Sequence, residues 1–286
     1  MAAQDAGAVA GAVAGAVAGA VAGTECGRSV RIMALAAHPD DIEFMMAGTM
    51  LLLGQAGCDL HYMNLANGSC GSTEHDAETT ARLRDGEARA AAQALGATFY
   101  PPLVDDLAIY YEPRLLAQVA SVVREVAPDM LLLPSPQDYM EDHQNTARLG
   151  VTAAFCRGMP NFPVQPPCAP IANDIVVYHA QPYGHRDMLN RLVRPDLLVD
   201  IGAVLDQKTA ALGMHASQRR WLDESQGLDS YLQTMVDLAA EMGALAQDIR
   251  YAEGWRYHNP LGLCAPDSDP LRALLRERVV PSSSGC

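Results

Sequence analysis

A chain of 286 residues, 49% apolar and 19% charged, is long enough for one sizeable α/β domain and too apolar for a disordered one. Its formal net charge of −14 repels a phosphate backbone and an anionic lipid surface alike, which argues against nucleic-acid and membrane partners. Seven scattered cysteines, odd in number and without a CxxC pair, argue against a disulfide framework and for a reducing, cytoplasmic compartment.

The chain opens on "MAAQDA" and the period-four repeat "GAVAGAVAGAVAGAVAG". Asp5 stands where an export signal needs basic residues, and Ala and Gly carry little transfer energy, so residues 1–27 are expected to be a low-complexity tail. "SVRIMALAA" then reads as a short buried strand stopped by His38-Pro39. "DIEFMMAGTMLLLGQAG" reads as a helix ended by glycine, and "CDLHYMNLA" as a second strand. The Gly/Ser-rich loop "NGSCGSTEHD" leads into a helix over "ETTARLRDGEARAAAQALG". A short third strand, "ATFYPP", follows. Pro113 suits the first turn of the helix "EPRLLAQVASVVREVA". "DMLLLPSP" is a fourth strand, and "DHQNTARLGVTAAFCRG" returns to helix. After the connector "MPNFPVQPPCAP", the strands "DIVVYHA" and "DLLVDI" precede helical stretches near 203–218 and 228–246. This alternation implies an α/β, Rossmann-like domain: a mostly parallel sheet with helices on both faces. One domain is expected over 28–265, with a C-terminal tail over 266–286.

Parallel sheets bind ligands beyond the carboxyl ends of their strands, where the strand order reverses; in the common doubly wound order that crevice lies between strands 1 and 4. "HPDD" follows the first strand and "DYMEDH" the fourth, so the topology brings the two polar clusters face to face. Imidazole and carboxylate together suit Zn²⁺, and three protein ligands with one open position is the catalytic pattern. His38 and Asp41, three apart at a strand-to-helix turn, can aim at one point, with His143 as the third ligand. Asp40 is left over as a general base toward a water whose pKa the ion lowers to roughly 7. The plainer alternative is a turn in which Asp40 or Asp41 caps the helix starting at Ile42. A nucleotide-binding turn is disfavoured, because the loop lacks GxGxxG and its two carboxylates would repel a pyrophosphate.

"AAHPDDIEFMMAGT", "RLRDGEARAAAQALGA", "DYMEDHQNT", "LLVDI", "KTAALGMHASQ" and "DIRYAEGWRY" occur in this order. They resemble the LmbE/PIG-L family of zinc-dependent N-deacetylases, which have a Rossmann-like fold and mostly remove the acetyl group from an N-acetylglucosamine unit of a larger molecule. The resemblance implies His38, Asp41 and His143 as zinc ligands and Asp40 as base. It also implies a small glycoconjugate substrate; a thiol-cofactor or inositol-linked conjugate is one alternative, and zinc binding without catalysis another. The family's second motif usually reads His-Pro-Asp-His, whereas this chain has "MEDH", placing Met140 where a histidine would stabilise the oxyanion or protonate the leaving amine. Tyr139, His179, Tyr183 and His185 are the candidates to replace it. Arg84 is a candidate clasp for a substrate hydroxyl, or else an ion-pair partner of Glu87. Asp106, or its neighbour Asp105, stands at a sugar-contacting position of the family, and His215 is expected to be structural. "PQDYMEDHQNT" and "VTAAFCRGMPNF" are similar to the sugar deacetylases of teicoplanin-type glycopeptide antibiotic biosynthesis.

Overall fold

The computed structural model describes residues 28–219 and 231–282, so the tail expected over 1–27 lies outside it. Its centre is an eight-stranded sheet made of β1 (Arg31–Ala36), β2 (Asp59–Asn64), β3 (Thr98–Tyr100), β4 (Met130–Leu133), β5 (Val176–Ala180), β6 (Leu197–Asp200), β7 (Ala252–Tyr257) and β8 (Val279–Pro281), in the order β3-β2-β1-β4-β5-β7-β6-β8. The pairs from β3 to β5 are all parallel. The three pairs formed by β5–β7, β7–β6 and β6–β8 are antiparallel.

The strands of the parallel half are apolar on both sides because helices cover both faces. On β1, Ile32, Ala34 and Ala36 face one core, while Met33 and Leu35 face the other. The first core is covered by α2 (Ala47–Gln55), α3 (Ala77–Ala94), α6 (Leu205–Leu212) and α7 (Tyr231–Gly243), the second by α4 (Pro113–Val126) and α5 (Glu141–Phe155). The helix expected over 41–57 is broken at Met46 (φ −134°) into α1 (Asp41–Met45) and α2. Asp76 caps α3 by accepting from Thr79 N at 2.8 Å, and Pro113 occupies the first turn of α4.

One expectation fails in the antiparallel half, and one of its strands carried no prediction. The core body does not stop at 265: α8 (Pro270–Leu275) buries Leu271 and Leu275, and β8 pairs with β6. These apolar side chains complete the face that β6 and α2 leave uncovered, so a tail begins no earlier than Ser282. The stretch "AEGWRY" is a central strand, β7, although Glu253 and Gly254 dilute its apolar pattern. Both residues have local reasons. Glu253 is buried against Lys208 Nζ at 2.6 Å and accepts from the amides of Gly48 and Thr49 at 2.8 and 2.7 Å. A Cβ on Gly254 would stand 2.8 Å from Gln181 Cγ.

The order of strands puts the reversal between β1 and β4, whose parallel register pairs Ile32 with Met130 and Ala34 with Leu132. Helix α5 lies tight on β4, because Gly150 leaves no room beyond the Leu133 side chain. That close approach fixes the start of α5, and with it His143, opposite the end of β1. Among the described residues no helix is long and apolar enough to cross a membrane.

Candidate metal centre and active site

The turn after β1 reverses at Asp40, whose φ of 96° is uncommon for any residue but glycine. Strain of this kind costs of order 1–3 kcal/mol and is retained where the surroundings enforce it. Here it splits two adjacent carboxylates between different partners.

Asp41 turns back on its own loop, and its Oδ2 accepts from His38 N at 2.8 Å and Ala37 N at 3.2 Å. Its Oδ1 lies 3.4 Å from His143 Nε2. Ligand atoms of His38, Asp41 and His143 all fall within 4.8 Å of one another, and the two imidazole centroids are 5.4 Å apart. Each ring is also tied from behind. Asp142 Oδ2 is 2.9 Å from His38 Nε2, and Asp138 Oδ1 is 3.0 Å from His143 Nδ1. Those contacts place a proton on the rear nitrogens and leave His38 Nδ1 and His143 Nε2 to face Asp41. Asp142 is itself held by Leu107 N at 2.8 Å, and Asp138 by Met140 N at 2.9 Å.

The charges are mutually adjusted. Burial opposes a proton on His38, but the carboxylates of Asp142 and Asp41 outweigh it and push its pKa up to about 9. Burial likewise opposes charge on Asp41, yet the facing His143 and His38 hold it well below the usual carboxylate range. Two imidazole nitrogens, freed of their protons when a metal binds, and one carboxylate, backed by outer carboxylates, are the donor set that Zn²⁺ takes, so these residues fit the ion.

Asp40 looks the other way. Tyr231, buried at the start of α7, donates its hydroxyl to Asp40 Oδ2 at 2.7 Å, and Arg84 Nη2 lies 3.5 Å from the same oxygen. Burial raises the Asp40 pKa, with Arg84 and His215 acting against the rise. Arg84 donates from Nη2 to Pro39 O and from Nη1 to Gln218 Oε1, while Glu87 instead accepts from Ser217 N and Oγ, both at 2.7 Å. The Arg84–Glu87 pair is therefore not formed, and Arg84 braces the turn from below. Behind it, His215 Nε2 stands 3.3 Å from Glu43 in the fully buried interior, in keeping with a structural role.

These groups open on a cavity of about 410 Å³, within the range of small-molecule sites. Met140, Asp106, Tyr139 and Tyr183 line it. Asp106 accepts from Gly68 N at 2.7 Å and Cys70 N at 2.9 Å, so it shapes the Gly/Ser loop at the cavity wall. Asp105 takes the side chain of Asn67 at 2.6 Å. Tyr139 packs edge-on to His143 at 5.8 Å and stands 6.4 Å from Tyr183, whose ring continues through Phe44 to Tyr231 as an aromatic wall. The other two candidates to replace the missing histidine do not reach the cavity. His179 is buried between Pro134 O at 2.8 Å and His258 Nδ1 at 3.0 Å, and His185 Nε2 turns to Leu238 O at 3.1 Å.

Four residues of the site carried no sequence-based assignment. Asp138 and Asp142 stand five and one positions before His143, a spacing that a search for outer-shell carboxylates finds. Tyr231 and Gln218 come from distant helical segments and have no local signature.

The profile of the PIG-L family, described as GlcNAc-PI de-N-acetylase, matches residues 33–154, which hold the three metal-site residues and Asp40. Diacetylchitobiose deacetylase of Thermococcus kodakarensis is 28% identical over 233 residues, covering 79% of this chain and 82% of that protein. The 4-oxalmesaconate hydratase of Pseudomonas putida is 27% identical over 231 residues, covering 78% and 86%. The solved structure of the A40926 pseudoaglycone deacetylase Dbv21 superposes with a TM-score of 0.59 at 22% identity, covering 81% of this chain and 99% of that one. The strand order and the His38–Asp41–His143 cluster agree with that similarity, which for the PIG-L profile spans residues 33–154.

Proposed function

We propose that the protein is a zinc-dependent hydrolase that removes the N-acetyl group from an N-acetylglucosaminyl conjugate. The observation that carries this reading is the pairing of His38, Asp41 and His143 around one point with a separate, braced carboxylate, Asp40, beside them.

When bound, the ion polarises the acetamide carbonyl and makes the attacking water acidic. The protein's own residues do the rest. Asp142 and Asp138 hold the imidazoles in the tautomers that can ligate. Tyr231 and Arg84 both engage Asp40 Oδ2, which orients the carboxylate to take a proton from water at its other oxygen. The C–N bond breaks as Asp40 returns that proton to the departing nitrogen, and acetate and a free amine leave. Met140 has no proton to give, so this return falls to Asp40, with Tyr139, edge-on to His143 at the cavity wall, as another candidate donor.

The hydratase relative supports a second reading, addition of water to an unsaturated polycarboxylate. The cavity's charge favours the first. Among the described lining residues the only Lys or Arg is Arg84, and it is committed to Pro39, Gln218 and Asp40, so a polyanion finds little to neutralise it. A neutral sugar has no such need. Within the sugar reading, the narrower scaffold we favour is a glycopeptide aglycone in antibiotic biosynthesis, supported by the exposed Leu107, Tyr139 and Tyr183 at the cavity edge, which offer apolar surface to a large aglycone. The working compartment that agrees with the free cysteines is the cytoplasm.

Acetate release from a panel of N-acetylglucosaminyl glycosides and aglycones, with and without chelator, tests the proposal. Chelator-sensitive release that zinc restores is the expected result. Hydration of 4-oxalmesaconate without acetate release would move the assignment to the second reading, and metal binding with neither activity would leave a binding protein.

A further inference from the structure

Gln181 follows β5 directly, at the carboxyl end of the sheet, and lines the same cavity. It is 2% exposed, yet neither its Nε2 nor its Oε1 has a hydrogen-bond partner in the protein. Each buried amide donor or acceptor left without a partner forfeits its hydrogen bond to water, so such a side chain is retained where something else supplies the bonds. Its stem is also fitted: Gln181 Cγ lies over Gly254 of β7, where any larger residue would push it aside. The carboxamide presents a donor and an acceptor side by side. That pair matches two adjacent hydroxyls of a sugar ring, one accepting from Nε2–H and the other donating to Oε1. Tyr183, two residues on, and Tyr139 and Phe44 beside it add the apolar ring faces against which the C–H side of a pyranose packs.

We propose that Gln181 is a specificity-determining residue that reads a vicinal hydroxyl pair of the hexopyranose seated in this cavity; the inference rests on the amino-sugar reading given above. Cleavage places the acetamide at the metal ligands and Asp40, so Gln181 addresses the rest of the ring. A structural residue and a ligand-reading one respond oppositely to Gln181→Met, which keeps the length and removes both polar atoms. If Gln181 serves the ligand, Q181M keeps or raises the melting temperature, because two unpaired polar atoms leave the interior, while the KM for an N-acetylglucosaminyl glycoside rises ~10-fold or more.

The experiment measures KM, kcat and melting temperature of zinc-loaded wild type and Q181M with an aryl N-acetylglucosaminide and its 3-deoxy and 4-deoxy analogues, and equilibrium binding of glucosamine to both proteins. Wild type is expected to discriminate against at least one deoxy analogue and Q181M to lose that discrimination. A KM within twofold of wild type, or a raised KM accompanied by a melting temperature more than ~4 °C lower, overturns the assignment while acetate release by wild type leaves the deacetylase reading intact. No acetate release and no glucosamine binding by wild type overturns both. Should Q181M fail to fold, Q181N, which withdraws the carboxamide by one methylene, gives the same comparison.

Discussion

The two halves of the sheet contribute unlike things. The parallel half, from β3 to β5, supplies the three candidate metal ligands, the proposed base and the carboxylates behind them, all within two strand-to-helix turns and the first turns of the helices that follow. The antiparallel half and the helices packed on it supply bracing and walls: Tyr231 against Asp40, and Lys208–Glu253 clamped on the start of α2. The reacting groups sit together because strand ends at a topological switch point are adjacent whatever the rest of the chain does. Bracing depends on how remote segments pack, so the same function can be braced in many ways.

Substitutions on either side should separate chemistry from folding. Asp40→Asn leaves the three candidate metal ligands untouched and removes the proposed base. Zinc stoichiometry should hold and kcat should fall ~10²–10⁴-fold, measured by acetate release. Full activity in D40N would remove Asp40 from its role. On the other side, Glu253→Gln leaves the buried Lys208 without its countercharge, at a cost of about 3–5 kcal/mol in unfolding free energy. Chemical denaturation measures that loss, and the turnover of the fraction that remains folded should fall far less than in D40N. If E253Q instead abolished turnover without loss of stability, the division between the halves would be wrong.

The division is also one of legibility. The strand-to-helix turn at His38–Asp41, the facing His143 and the reversal between β1 and β4 were readable, because each rests on a local pattern: an apolar run, a stop and a polar cluster. Strand β7 was not, since its Glu253 and Gly254 break the pattern for reasons found only in Lys208 and Gln181, far away in sequence. α8 and β8 were short and sat beyond a proline-containing stretch that resembled an end. His179 and His185 attracted attention as polar residues near the site, but burial turns one to Pro134 and His258 and the other to a backbone carbonyl. Tyr231 had no signal at all.

A pH titration sharpens the comparison at the seam where β5 meets β7. His179 is buried and faces His258 and Arg256, and its pKa is lowered to about 4. In the unfolded chain it binds a proton near its ordinary value, so between about pH 6.5 and 4 the unfolded state holds more protons and stability falls as pH falls, by up to about 3 kcal/mol. Denaturation midpoints at pH 7 and pH 4.5 should differ less in His179→Asn than in wild type. Equal slopes would mean that another group sets the acid limit. The smallest effect belongs to the outer carboxylates: Asp138→Asn keeps an acceptor near His143 Nδ1 but loses its charge, and should weaken zinc binding ~10–100-fold by competition with a chelating dye.

Whether one divalent ion is gripped by His38, Asp41 and His143 is read out by anomalous diffraction at the zinc edge on zinc-soaked crystals. One strong peak is expected, bounded by those three side chains, roughly 2.0–2.2 Å from two imidazole nitrogens and an Asp41 oxygen, with the Asp40 carboxylate outside the ligand set. Zinc bound elsewhere, or bound through Asp40 in place of one of the three, would contradict it.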